Sequence, residues 1–110
     1  MDRHQRVESL IRELAATFIE YEANSDPMIT VTHVTTSPDY RRVTIFFTTI
    51  PSTKEDDALA FLKRNGTELR NFIKKKSTLK TIPHLEFAVD YGERHRQHID
   101  EIARKVDGKE

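Results

Sequence analysis

The chain has no cysteine and no tryptophan, only three glycines and four prolines, and no apolar run approaching the ~18 residues that cross a membrane. Without cysteine, disulfides and thiolate metal sites are excluded. The glycines stand singly at Gly66, Gly92 and Gly108, so no glycine-rich phosphate loop can form. With no spanning run, and a Met-Asp-Arg-His start unlike a secretory signal, a cytoplasmic protein with no membrane contact is expected. Excess charge of one sign is also missing, because 18 basic residues balance 18 acidic ones. A zero balance ordinarily argues against nucleic acid.

The distribution of charge reverses that argument. The 110 residues are 36% hydrophobic and 33% charged, which predicts one small domain with an economical core and a heavily charged surface. Between Lys63 and Lys80 lie seven basic residues (Lys63, Arg64, Arg70, Lys74, Lys75, Lys76 and Lys80) and one acid, Glu68, a local charge of +6 offset by −6 elsewhere. Such a basic pole can orient a neutral protein on a polyanion, since near charges outweigh screened distant ones.

Val7, Leu10, Ile11, Leu14, Ala15, Phe18 and Ile19 recur by threes and fours, predicting an amphipathic helix over Arg6 to Glu22 that stops at Asn24-Ser25-Asp26-Pro27. The β-branched stretches Ile29 to Thr36 and Arg42 to Ile50, separated by the turn signal Ser37-Pro38-Asp39, predict an antiparallel hairpin. In its second strand Val43, Ile45 and Phe47 share one face and Phe46 takes the other. Ser52 and Glu55 form a capping-box signature for a second helix. Its apolar stripe (Ala58, Leu59, Leu62, then Leu69, Phe72, Ile73) is interrupted at Asn65-Gly66-Thr67, where a kink or break is expected. After Pro83 the alternation Leu85, Phe87, Val89, Tyr91 predicts a third strand, and Ile99, Ile102, Ala103 and Val106 suggest a last helix. The predicted fold is therefore α+β, in the order α-β-β-α(kinked)-β-α, with a three-stranded sheet and helices on one face. Residues 1–107 are expected to form the single domain and 108–110 a frayed tail. Leu10, Leu14 and Phe18 are expected to pack on Val31, Ile45, Phe47, Phe87 and Val89.

Several of these residues, in this order, resemble the bacterial ribosome-binding factor A family. Arg3, Arg6-Val7, Ile11 and Leu14 match its opening helix, and Asp26-Pro27 with Ile29-Thr-Val-Thr32 its first strand. Ser37-Pro38-Asp39-Tyr40 matches a Ser-x-Asp turn. Arg70, Leu79-Lys80 and Pro83-His84-Leu85-Glu86-Phe87-Ala88-Val89-Asp90 match its later motifs. The resemblance covers Arg3 to Ile102. It implies a K-homology fold of the second topological type and a non-catalytic, monomeric factor that binds the free small (30S) ribosomal subunit. Assistance to late 16S rRNA maturation, notably in the cold, is implied as well. The chain departs from the family in two places: Asn65-Gly66-Thr67 stands where Ala-x-Gly is usual, and Asp90-Tyr91-Gly92 has no serine after the acid.

A sequence-reading K-homology domain uses a Gly-x-x-Gly loop; lacking one, this chain would bind RNA through shape and phosphate. The candidate contacts are Arg41, Arg42, Lys63, Arg64, Arg70, Lys74, Lys75, Lys76 and Lys80. The bland alternative for the lysines is a solvated helix end that complements the helix dipole. Phe46 could stack a base, or pack beneath the C-terminal tail or a neighbouring loop. His95 and His98, near Asp100 and Glu101, lack a third ligand, so neither a metal site nor a cofactor is expected. Other readings stay open: a general RNA-binding module, a protein-interaction module using an outward-facing Glu8, Glu13, Glu20 and Glu22, and a Mg-dependent nuclease using Asp39, Asp90 and Glu93.

Overall fold

A computed structural model describes residues 2–23 and 27–93. The expected last helix, with His95 and His98, lies outside the described residues. The first helix, α1 (Arg3–Glu22), begins one turn earlier than the apolar stripe suggests. Its start is fixed by a capping box: the Gln5 N–H donates to Asp2 Oδ1 at 2.8 Å, and the Asp2 N–H donates to Gln5 Oε1 at 3.1 Å.

Two antiparallel strands follow, β1 (Met28–Thr36) and β2 (Arg42–Ile50). A chain that must then pair a third strand parallel to β2 needs a crossover, and helices supply it. These are α2 (Glu55–Arg64) and α3 (Gly66–Lys76), after which β3 (His84–Val89) runs parallel beside β2. The sheet order is β1-β2-β3, with β2 central.

The capping box expected at Ser52 does not form. The Lys54 N–H bonds to the Pro51 carbonyl at 3.1 Å and winds Ser52–Lys54 into a 3-10 turn. Ser52 is thus inside a helical turn, not in the extended conformation a cap requires. Helix α2 starts at an uncapped Lys54, and Glu55, Asp56 and Asp57 offset its dipole instead.

Val43, Ile45 and Phe47 are fully buried on the helix-facing side of β2, as their alternation predicts. The buried line of α1 differs from the expected one. It runs through Val7, Ile11, Ala15, Phe18 and Ile19, while Leu10 and Leu14 are half-buried at its flank. The helix is wedged between β1 and α3, and the small Ala15, fully buried, permits the close approach. Phe87 and Val89 are also only half-buried, since β3 is an edge strand covered from one side. In β1 the buried Val31 and Val34 are three residues apart, because a β-bulge between Val31 and His33 shifts the register. That bulge sets both Thr32 and His33 opposite Phe46, away from the core.

Candidate nucleic-acid interface

The helix break is made by Asn65, with φ −98° and ψ 11°. Its main-chain N–H and its Nδ2 both donate to the Phe61 carbonyl, at 3.1 and 2.9 Å, closing α2. Its own carbonyl accepts from Leu69 at 2.9 Å and opens α3. Gly66 is therefore the first residue of α3 and not the hinge. Its φ is not positive, and a Cβ built on it meets nothing within 4 Å, so the fold does not demand glycine there.

Gly66 instead lines a groove of about 560 Å³. Lys63, Gly66, Thr67 and Arg70 form one wall, and His84, Leu85, Glu86 and Phe87 of β3 form the other. Helix α3 has no side-chain cap, so its first-turn N–H groups and dipole add to the cationic character of this wall. Thr67, Arg70 and Lys74 follow at helical spacing on one exposed face.

Two hydrogen bonds join the groove to residues distant in sequence. Arg70 Nη1 donates to the Pro83 carbonyl at 2.8 Å, and the next residue, His84, donates its N–H to the Arg41 carbonyl at 2.9 Å. Arg41 and Arg42 thereby stand at the groove mouth. Both are exposed and only loosely paired, Arg41 Nε with Asp39 at 3.9 Å and Arg42 Nε with Glu86 at 3.6 Å. Asp39 is held below its ordinary pKa by the Ser37 hydroxyl and then by the Arg41 N–H.

The other candidates divide. Lys74, Lys75, Lys76 and Lys80 are exposed and form no ion pair among the described residues. Only Lys74 continues the Arg70 face; Lys75 and Lys76 fan around the last turn of α3. Arg64 leaves the groove, lining a separate hollow with Lys54, Asp57 and Phe61.

Phe46 takes the outer sheet face and stacks on His33, ring centroids 4.3 Å apart and planes at 11°. The C-terminal tail expected to cover it lies outside the described residues. Asp90 Oδ2 accepts from Thr32 Oγ1 at 2.5 Å and lies 3.2 Å from His33 Nδ1, while Oδ1 accepts the Glu93 N–H at 3.0 Å. This cluster was not legible in the sequence, since it depends on the bulge. It also separates the nuclease candidates. Asp90 bonds to Phe47 at one end of the β2–β3 pairing, whereas Asp39 precedes the other end. Among the described residues no group of three His, Asp or Glu side chains could hold a metal. Glu8 does not face outward with Glu13, Glu20 and Glu22; it accepts from the Thr36 N–H and hydroxyl at 2.8 and 3.0 Å.

Comparisons with known proteins agree with this architecture. The family model described as "Ribosome-binding factor A" matches residues 3–103. A protein of that name from Aromatoleum aromaticum is 34% identical over an alignment 115 positions long, covering 97% of this chain and 90% of that protein. One from Paracoccus denitrificans is 37% identical over 93, covering 80% of this chain and 67% of its own length. The crystal structure of ribosome-binding factor A from Thermus thermophilus superposes with a TM-score of 0.72 at 20% identity, covering 80% of this chain and 97% of that one. A second Thermus thermophilus model, fitted into a cryo-EM map of a 30S complex, gives 0.67 at 21% identity, covering 76% and 90%. The fold is thus the K-homology-like one, and with its match over nearly the whole length this chain belongs to the ribosome-binding factor A family.

Proposed function

We propose that this protein binds the free small ribosomal subunit as a monomer in the cytoplasm and assists late maturation of 16S rRNA, a step most needed in the cold. It acts as a non-catalytic docking factor, without metal or cofactor. The observation that carries the reading is the groove between the α2–α3 junction and the β3 edge. It is lined by Lys63 and Arg70, continued by Lys74, and met at its mouth by Arg41 and Arg42. Lys63, Lys74, Arg41 and Arg42 have weak ion pairs or none among the described residues and lose little when they turn to phosphate, while the Pro83 carbonyl holds Arg70 in place. The 30S complex of the Thermus thermophilus homologue supports the choice of partner. Reading of bases by hydrogen bonds is not required, because phosphate contacts are enough to position a protein on folded RNA.

Co-sedimentation tests this. Purified protein should travel with free small subunits, and not with large subunits or assembled ribosomes. Equal association with all three particles would leave only nonspecific polyanion binding.

A further inference from the structure

The turn between β1 and β2 is tied more tightly than a polar loop needs to be. Ser37 Oγ donates to Asp39 Oδ1 at 2.6 Å and accepts the Arg42 N–H at 3.0 Å. The Arg41 N–H reaches Asp39 Oδ1 at 3.1 Å, and the Tyr40 N–H reaches the Ser37 carbonyl at 3.0 Å. Together these bonds hold Tyr40 at φ 60°, a left-handed conformation that bulky side chains rarely adopt. Asparagine or glycine would sit there with less strain. An aromatic ring in that position points to a role for the ring itself.

The ring lies over the start of α1. His4 stacks on it, centroids 3.9 Å apart and planes at 11°. The guanidinium carbon of Arg3 stands 4.8 Å from the Tyr40 centroid. His4 covers one face at stacking distance, so Arg3 lies against the other. His4 is anchored, with Nδ1 2.8 Å from Thr36 Oγ1. Arg3 is exposed and has no ion pair among the described residues.

Position supplies the partner. Tyr40 immediately precedes Arg41, whose carbonyl bonds to His84 of the groove wall, so the stack is one residue along the chain from the point where the turn meets the groove. Arg3, Arg6, Arg41 and Arg42 stand exposed around the ring, while the nearby Asp2, Glu8 and Asp39 carboxylates are held in place by hydrogen bonds to Gln5, to Thr36 and within the turn.

We infer that the Tyr40 ring is a base-stacking site for single-stranded RNA continuing out of the groove. An unpaired base replaces the Arg3 guanidinium on the ring, and the released Arg3, with Arg41 and Arg42, meets the adjoining phosphates. This rests on the RNA-binding reading of the groove. Stacking of this kind tolerates any base, since every base has a π-face.

Tyr40→Asn tests it, because asparagine accepts the left-handed backbone while removing the ring. The probes are an oligoadenylate hexamer and the same backbone with abasic positions. Tyr40→Asn should remain folded, at a somewhat lower melting temperature because the ring also packs against the core, and should bind the hexamer at least about five-fold more weakly, with affinity for the abasic chain unchanged. Equal hexamer affinity overturns the site, as does an equal loss on the abasic chain, which would make Tyr40 a structural prop. Wild-type protein that binds no hexamer counts against it equally. Should Tyr40→Asn fail to fold, a 4-thiouridine hexamer cross-linked to wild-type protein should give an adduct at Tyr40; adducts confined to other residues overturn the proposal. Sedimentation of the wild type with free small subunits, run alongside, keeps the two levels apart. Its failure removes the RNA reading, whereas subunit binding together with an unaffected variant removes this site alone.

Discussion

The hydroxyl of Thr32 donates to Asp90 Oδ2 at 2.5 Å, joining an edge strand to the end of the opposite edge strand across β2. Thr32 faces away from the core by the same alternation that buries Val31, and the β-bulge brings His33 to that face beside it. The same carboxylate lies beside His33 and caps the turn at residues 91–93 through the Glu93 N–H.

Asp90→Ala should therefore destabilise the protein by about 1–3 kcal/mol, because Thr32 and the Glu93 N–H lose their acceptor together. Denaturant unfolding measures it. A midpoint equal to the wild type's would mean that the cluster is incidental to stability.

Gly66→Ala should raise stability by up to about 0.4–1 kcal/mol, since the site has ordinary backbone geometry and open space around the new methyl group. Its affinity for free small subunits should fall, because the methyl group stands on the groove wall. Undiminished affinity would show that RNA does not approach the backbone at the helix break.

The lysines of α3 should not be equivalent. Lys74→Glu should weaken subunit binding more than Lys75→Glu or Lys76→Glu, since Lys74 alone prolongs the Arg70 face. Losing one phosphate contact should lower the salt dependence of log K by roughly 0.7–0.9. Lys54→Glu, at the start of α2, serves as the control for net charge. If all four reversals cost the same, the basic helix acts only by long-range steering.

Asp39 gives the pH dependence of the Ser37 turn. Its folded pKa lies below the ordinary 3.8, chiefly through the Ser37 hydroxyl, so the stability it contributes is fully present above 3.8. That contribution is lost as the pH falls through the lowered folded value. In an NMR titration the carboxyl should move below 3.8, and Ser37→Ala should bring it back towards that value. A wild-type Asp39 titrating at or above 3.8 would contradict the turn geometry.

Much of this protein was written locally. Apolar spacing determined the order of helices and strands, and strict alternation determined which face of β2 is buried, because a strand offers only two sides. The interruption at Asn65-Gly66 determined that the second helix breaks, and the run from Lys63 to Lys80 determined that one pole is basic. Interactions between distant residues were decided by the tertiary structure. The Asp2–Gln5 pair caps a helix while Ser52–Glu55 does not, because Pro51 winds Ser52 into a 3-10 turn. The bulge at Thr32 inverts the phase of half a strand, which composition alone cannot reveal. Arg41 and Arg42 join Arg70 only because parallel pairing of β3 with β2 sets His84 against Arg41, while Arg64, inside the same basic run, is carried to the other side of its helix. Charge is counted along the chain, but a binding surface forms where the fold brings separate segments within reach of one ligand.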